Sequence, residues 1–326
     1  MPGKSKPPHS HDKTKAPKKD WGAEESLTLN YYMVAYIDFM GQKASLAELA
    51  RTELDEISRG DLSRAFHEHM MKTYGAVEEL RKLVMIFLTS VNAPTQSLDL
   101  VSRASRNAYE AAMKPAEVKL QPLSDALIIY VSLKQWSPSA AINGVYAALL
   151  ASATMMPIFL ASENPVRGGI DVHWASEISP SEVYGPALYN AYELESSFSL
   201  YPRITVGMGL IKYLKTLMYP NQGGFIDAYV REMADSCHAL IARDSDSLLI
   251  LDYLGKGYRN LVGSGENLGK KMLIEVLPKA FKYAECSMNR FRQEGNDKLA
   301  EYYDRLVAYY KSRADVWTPD GIDFGP

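Results

Sequence analysis

Glu117 to Leu133, EVKLQPLSDALIIYVSL, reads as two strands joined by a tight turn at Ser124-Asp125, the second of them, ALIIYV, strongly apolar. Upstream, Tyr31 to Phe39 (YYMVAYIDF) is rich in β-branched and aromatic residues and predicts a further strand, ending in Asp38-Phe39-Met40-Gly41. Between the two, from Ser45 to about Met113, the pattern turns helical. ELARTELDEI and AVEELRKLVMIFL carry apolar residues at three- and four-residue spacing, and a break at Asn92-Ala93-Pro94 precedes a further helix, LDLVSRASRNAYEAAM. Downstream, an alanine-rich helix is expected over 138–161, a strand over Pro165 to Trp174 (PVRGGIDVHW) and a short one over Glu182 to Tyr184. Pro186 to Phe198 reads as helix, Arg203 to Val206 as strand and Ser247 to Leu254 (SLLILDYL) as a late strand. The last fifty residues read as one or two long helices with a mixed-charge face. This order predicts an α+β sandwich, with helices packed against a mainly antiparallel sheet.

Composition removes several classes. A net charge of −3 gives no global attraction to nucleic acid or to a membrane surface, so neither is expected as a partner. Cys237 and Cys286 lie far apart without a CxxC partner, which argues against a disulfide scaffold or a zinc site and for a reducing cytosol. The first twenty residues are rich in Lys and Pro and contain no apolar run, so a disordered tail is expected there and no secretory signal. Ala140 to Ala161 has the length of a membrane span. It carries Asn143, Ser152, Thr154 and Pro157, however, and a helix buried beneath the sheet is expected instead. GSGENLGKK (Gly263 to Lys271) fails the phosphate-loop pattern, because Ser264 stands where glycine is needed and Lys271 where Ser or Thr is needed; a surface loop is expected.

Two acids carry the candidate chemistry. Asp38 closes an apolar strand and Asp125 lies in the turn of the apolar hairpin. A carboxylate at the mouth of a buried strand is costly to desolvate unless a cation meets it. If the strands are neighbours, a divalent ion would relieve both the burial and the mutual repulsion, since magnesium and manganese take oxygen ligands from carboxylates, phosphates and water. Gly41 lets the backbone turn tightly and present N–H groups to phosphate oxygens. The competing reading is that both aspartates are ordinary strand-end and turn residues, and spacing alone does not separate the two.

Tyr36-Ile37-Asp38-Phe39-Met40-Gly41 resembles the first-strand motif of the class III nucleotidyl cyclases, and Leu123-Ser124-Asp125-Ala126 resembles their hairpin aspartate motif. Val166-Arg167-Gly168-Gly169-Ile170 resembles the next core strand of that family. The segment Val183-Tyr184-Gly185-Pro186-Ala187 through Glu195 resembles its following strand-to-helix element. Within the family, these pieces are most similar to the pyrimidine cyclases of the bacterial Pycsar antiphage systems.

The resemblance implies a cyclase catalytic domain over 26–258, between a tail over 1–25 and a C-terminal helical extension over 259–326. It also implies a cytoplasmic head-to-tail homodimer with shared active sites. UTP or CTP would be the substrate, and the cyclic product would act on a downstream effector; a purine cyclase of the same fold and a catalytically inactive nucleotide-binding dimer are the alternative readings. Asp38, Asp125 and the backbone carbonyl of Phe39 would hold two Mn²⁺ or Mg²⁺ ions. Gln121 and Glu182 fall at the base-reading positions: a glutamine amide both donates and accepts, and Glu182 can accept from uracil N3–H or the cytosine amine. The chain departs from purine cyclases where Tyr189 and Glu193 replace their Asn and transition-state Arg. Arg203, Lys43 and Arg167 are the candidate replacement cations, with Arg203 taken as the catalytic one and Gly41, Lys43 and Tyr189 as substrate contacts.

Overall fold

A computed structural model describes residues 28–41, 47, 59–91, 107, 117–123, 125–135, 137–219, 225–263 and 268–325. Strand β1 (Asn30–Phe39) leads into helix α1 (Arg59–Val91), followed by the hairpin β2 (Val118–Pro122) and β3 (Ala126–Ser132). The Leu123 N–H closes this hairpin on the Ala126 carbonyl at 2.8 Å. Helix α2 (Pro138–Ala161) and the long strand β4 (Val166–Ser179) come next, then β5 (Glu182–Tyr184) and α3 (Pro186–Glu193). After a π-helical turn over Leu194–Phe198 come β6 (Ile204–Val206), α4 (Met208–Met218), α5 (Phe225–Ala239), β7 (Ile241–Arg243) and β8 (Leu249–Leu251). The described chain ends with α6 (Lys256–Gly263), α7 (Leu268–Gln293), α8 (Asp297–Lys311) and the short α9 (Ala314–Trp317).

The strands form one mixed sheet in the order β2-β3-β1-β4-β6-β8-β7, with β5 paired to β4 beside that path. Every neighbouring pair is antiparallel except β4 with β6. In β1 the alternation of side chains is complete. Met33, Ala35, Ile37 and Phe39 enter the main core, while Tyr32 and Val34 join a smaller cluster on the opposite face. Helices α1 and α2 lie on the main-core side, and α3 covers part of the other face.

Helix α2 fits the expected range to the residue. Ser137 caps it by accepting the Ala140 N–H at 3.1 Å, and Pro138 occupies the first turn, where its missing N–H costs nothing. Its interior polar groups are satisfied inside the protein: Ser152 and Thr154 donate to the carbonyls of Ala148 and Leu150, and Asn143 accepts from the Tyr229 hydroxyl. It is long and apolar enough to cross a membrane, but it is mostly buried against the sheet, α1, α5 and α7. One core therefore runs across the expected 258/259 boundary, joining Leu127 and Met155 to Leu277, Tyr310 and Trp317.

Two expected elements shift, and one strand was not expected. β4 continues to Ser179 because β5 folds back on it. β7 was not expected, because Ile241–Arg243 follows α5 after a single residue and no turn signal separates the two. Helix α7 begins at Leu268, so Leu268 to Lys271 are helical rather than loop; their Gly and Lys composition hides a helix whose apolar spacing starts only at Leu273. The tail, the Asn92-Ala93-Pro94 break, Ser124 and Lys43 lie outside the described residues.

Candidate active site

Asp38 stands opposite Ala126 of β3 and opposite Arg167 of β4. The Phe39 N–H donates to the Asp125 carbonyl at 3.2 Å, and the Met40 N–H donates to the Pro165 carbonyl at 2.9 Å. Three distant segments thus bring Asp38, Asp125 and Arg167 to one end of the sheet. Strand register places Tyr36, Asp38, Ile128, Gln121 and Gly169 on the face away from α1 and α2. Gly41 adopts φ +91 with open space around it, a left-handed turn that glycine takes without strain.

Sequence reading missed a third acid, Glu195. It sits in the π turn after α3 and is only 2 % exposed. Gly169 permits this approach: a Cβ there would stand 2.1 Å from the Ala191 carbonyl oxygen and 2.7 Å from the Glu195 nitrogen. The Arg167 Nε lies 2.6 Å from Glu195 Oε1, and its Nη2 lies 3.9 Å from Asp38 Oδ2. The contact with Glu195 is an ion pair without hydrogen-bond alignment, so that buried oxygen has no hydrogen-bond partner among the described residues.

Burial, then the charges of Glu195 and Asp125, push the Asp38 carboxyl up to about 7, and Arg167 offsets this only in part. Burial likewise raises Glu195 against the opposing pull of Arg167. Burial and the charge of Asp38 hold the Tyr36 phenol well above its usual range. Arg167 thus faces two carboxylates, Asp38 and Glu195, with Asp125 close enough to act on both. A crowded all-oxygen donor set fits a hard divalent cation. Among the described residues no three Asp, Glu, His or Cys side chains converge closely enough to hold an ion alone. Asp38 and Asp125 would therefore share it with the Phe39 carbonyl and with ligand oxygens.

The remaining expected residues divide. The Gln121 Oε1 accepts the Val183 N–H at 3.0 Å, which brings Gln121 beside Glu182, and Glu182 itself accepts from the Ser179 hydroxyl at 2.7 Å. Tyr189 is 62 % exposed on α3, and Glu193 accepts from the Ser197 hydroxyl. His173 accepts the Trp174 N–H and pairs with Tyr32, at the opposite end of β1 from Asp38.

Arg203 does not fill the place expected of it. It is 1 % exposed and donates to Asp244 at 2.5 Å, to Asp246 at 2.7 Å and to the Phe198 carbonyl at 2.6 Å. Both of its terminal nitrogens are engaged inside the fold, and of the two described candidate cations Arg167 is the one beside Asp38. No family model matches the chain, and no curated protein matches it significantly.

Proposed function

We propose that the chain is a nucleotidyl cyclase of class III type. It would close UTP or CTP into the 3′,5′-cyclic monophosphate with release of pyrophosphate, as a second messenger in bacterial antiphage defence. One observation carries this reading: Asp38 and Asp125 meet at one sheet end, close enough for the charge of Asp125 to raise the Asp38 carboxyl. The split β1-α1-β2, β3-α2-β4 arrangement, with strand order 2-3-1-4, supports the cyclase-like sandwich.

Asp38, Asp125 and the Phe39 carbonyl would hold two Mn²⁺ or Mg²⁺ ions, which when bound lower the pKa of the ribose 3′-hydroxyl and neutralise charge on the departing pyrophosphate. The Gly41 turn offers backbone N–H groups to phosphate oxygens. Buried Glu195 holds Arg167 at the rim of the cluster, on the side a triphosphate would approach. The Gln121 carbonyl is engaged on Val183, so its amide N–H groups are left to donate to a base, while Glu182 accepts from one. In a head-to-tail homodimer these two groups would serve the partner's carboxylates. Exposed Tyr184, Tyr189 and Tyr192 provide an aromatic surface suited to that contact.

Incubating the purified protein with ATP, GTP, CTP or UTP and Mn²⁺ tests the proposal, because the cyclic product names the base. Loss of turnover in Asp125→Asn with an intact dimer is expected; no product from any of the four overturns it. A second reading, a nucleotide-binding module without turnover, is favoured by Arg167 lying between Asp38 and Glu195, where it partly neutralises them without an ion. Triphosphate binding without product would establish that reading.

A further inference from the structure

We propose that Lys119 and Glu177 are positioning residues for base recognition: their ion pair straps the β4–β5 arm to β2 and so fixes where Glu182 stands. The proposal rests on the cyclase reading and assigns that site two residues outside the expected motifs.

The arm has little persistence of its own. β5 is three residues long, the register with β4 shifts between Glu177 and Ser179, and Ser181 turns the chain at φ +67, a left-handed conformation disfavoured for a residue with a Cβ. Glu182 hydrogen-bonds to Ser179 of the same turn, so that bond cannot fix it relative to the sheet. The arm is held from outside at two levels. Lys119 Nζ meets both Glu177 oxygens, at 2.7 and 2.8 Å, and Glu117 at 3.1 Å. Glu177 Oε1 also accepts from the Tyr130 hydroxyl at 3.1 Å and from the Ser181 N–H at 3.0 Å. One step along β2, Gln121 takes the Val183 N–H. Lys119, Gln121 and Tyr130 share the Asp38 face of the sheet by register.

The ion pair is half-buried, with side chains 29 % and 24 % exposed, so it escapes full solvent screening. Glu177 thus links three partners, of which Lys119 alone is charged and on another element. Losing Lys119 would loosen the arm at its Glu177 level, leaving the Gln121–Val183 bond in place and the carboxylate cluster untouched. Misplacing a group that binds the base equally in ground and transition states raises KM and leaves kcat alone.

Lys119→Met is therefore expected to raise KM for the preferred triphosphate about tenfold, to leave kcat within about twofold, and to move the UTP-to-CTP preference toward one. Lys119→Arg, which keeps a two-pronged grip on Glu177, should restore both. Amide hydrogen exchange supplies a readout independent of turnover: in Lys119→Met the 177–184 segment should exchange faster, while β1 stays protected.

Unchanged exchange in the arm overturns the strap. Faster exchange with KM and base preference unchanged in an active enzyme overturns the positioning role, as does a fall in kcat at constant KM. A wild type that neither binds nor turns over any of the four triphosphates removes the cyclase reading and this proposal with it, an outcome recognisable without any variant.

Discussion

Arg167 and Arg203 lie at the ends of neighbouring strands, joined where the Gly168 N–H donates to the Arg203 carbonyl at 2.9 Å, yet they meet carboxylates in opposite ways. Arg203 is buried between Asp244 and Asp246, stacks over the Tyr201 ring and gives a further N–H to Phe198. Burial would raise Asp246, but hydrogen bonding and charge from Arg203 bring its carboxyl below the usual range. At Arg167 the balance reverses: Asp38 and Glu195 share one half-buried guanidinium, and burial pushes Asp38 up to about 7. A compensated cluster holds the fold together. An under-compensated one stores charge that a bound cation can relieve, which marks it as a candidate for chemistry.

Arg203→Met should break this contrast most severely. It leaves mostly buried Asp244 without its cation, beside the more exposed Asp246, with an expected loss of about 3 kcal/mol or more in urea unfolding. At the other cluster, Asp38→Asn should do the reverse in the presence of a chelator. Because the folded pKa of Asp38 is raised, its contribution is fully present below the unfolded value of 3.8 and is lost as pH rises through about 7. The variant should thus exceed wild type at pH 8 by up to about 4 kcal/mol, and the gap should close toward pH 4. Urea titrations along that pH range read it directly.

A smaller effect comes from metal. Mn²⁺ at a hundredfold its Kd should stabilise the wild type by about 2.7 kcal/mol in thermal melts, and Asp125→Asn should lose most of that gain. If the variant keeps it, the ion binds elsewhere. Smallest is Gly169→Ala, where the new methyl meets the Ala191 carbonyl and forces α3 and the π turn outward, at a cost of about 1–3 kcal/mol. Turnover should fall with it, as Glu195 and Arg167 leave their places.

Much of the frame was visible in composition and spacing. YYMVAYIDF, the 117–133 hairpin, the alanine-rich helix and the Glu182–Tyr184 strand have patterns strong enough to place within a residue or two. The pairing of Asp38 with Asp125 came from the family resemblance, since spacing alone left the ordinary strand-end and turn reading open. Glu195 was hidden because a π turn has no periodicity that sequence shows, and only the close approach over Gly169 turns that side chain inward. Arg203 was misplaced for a related reason. Its partners, Asp244 and Asp246, lie about forty residues away on the turn after β7, a strand that no turn signal sets off from helix α5. Long-range pairing of buried charge is set by topology, and local sequence carries little trace of it.

The burial of α2 against α7 has a consequence for synthesis. The helix leaves the ribosome roughly a hundred residues before the segment that covers its outer side, so at about 5–20 residues per second it waits on the order of 5–20 s with an apolar flank open. In that interval a stretch suited to a lipid bilayer faces water and crowded cytosol. Slow translation through 162–268 would lengthen the wait, and chains stalled there are the ones expected to recruit chaperones or to aggregate.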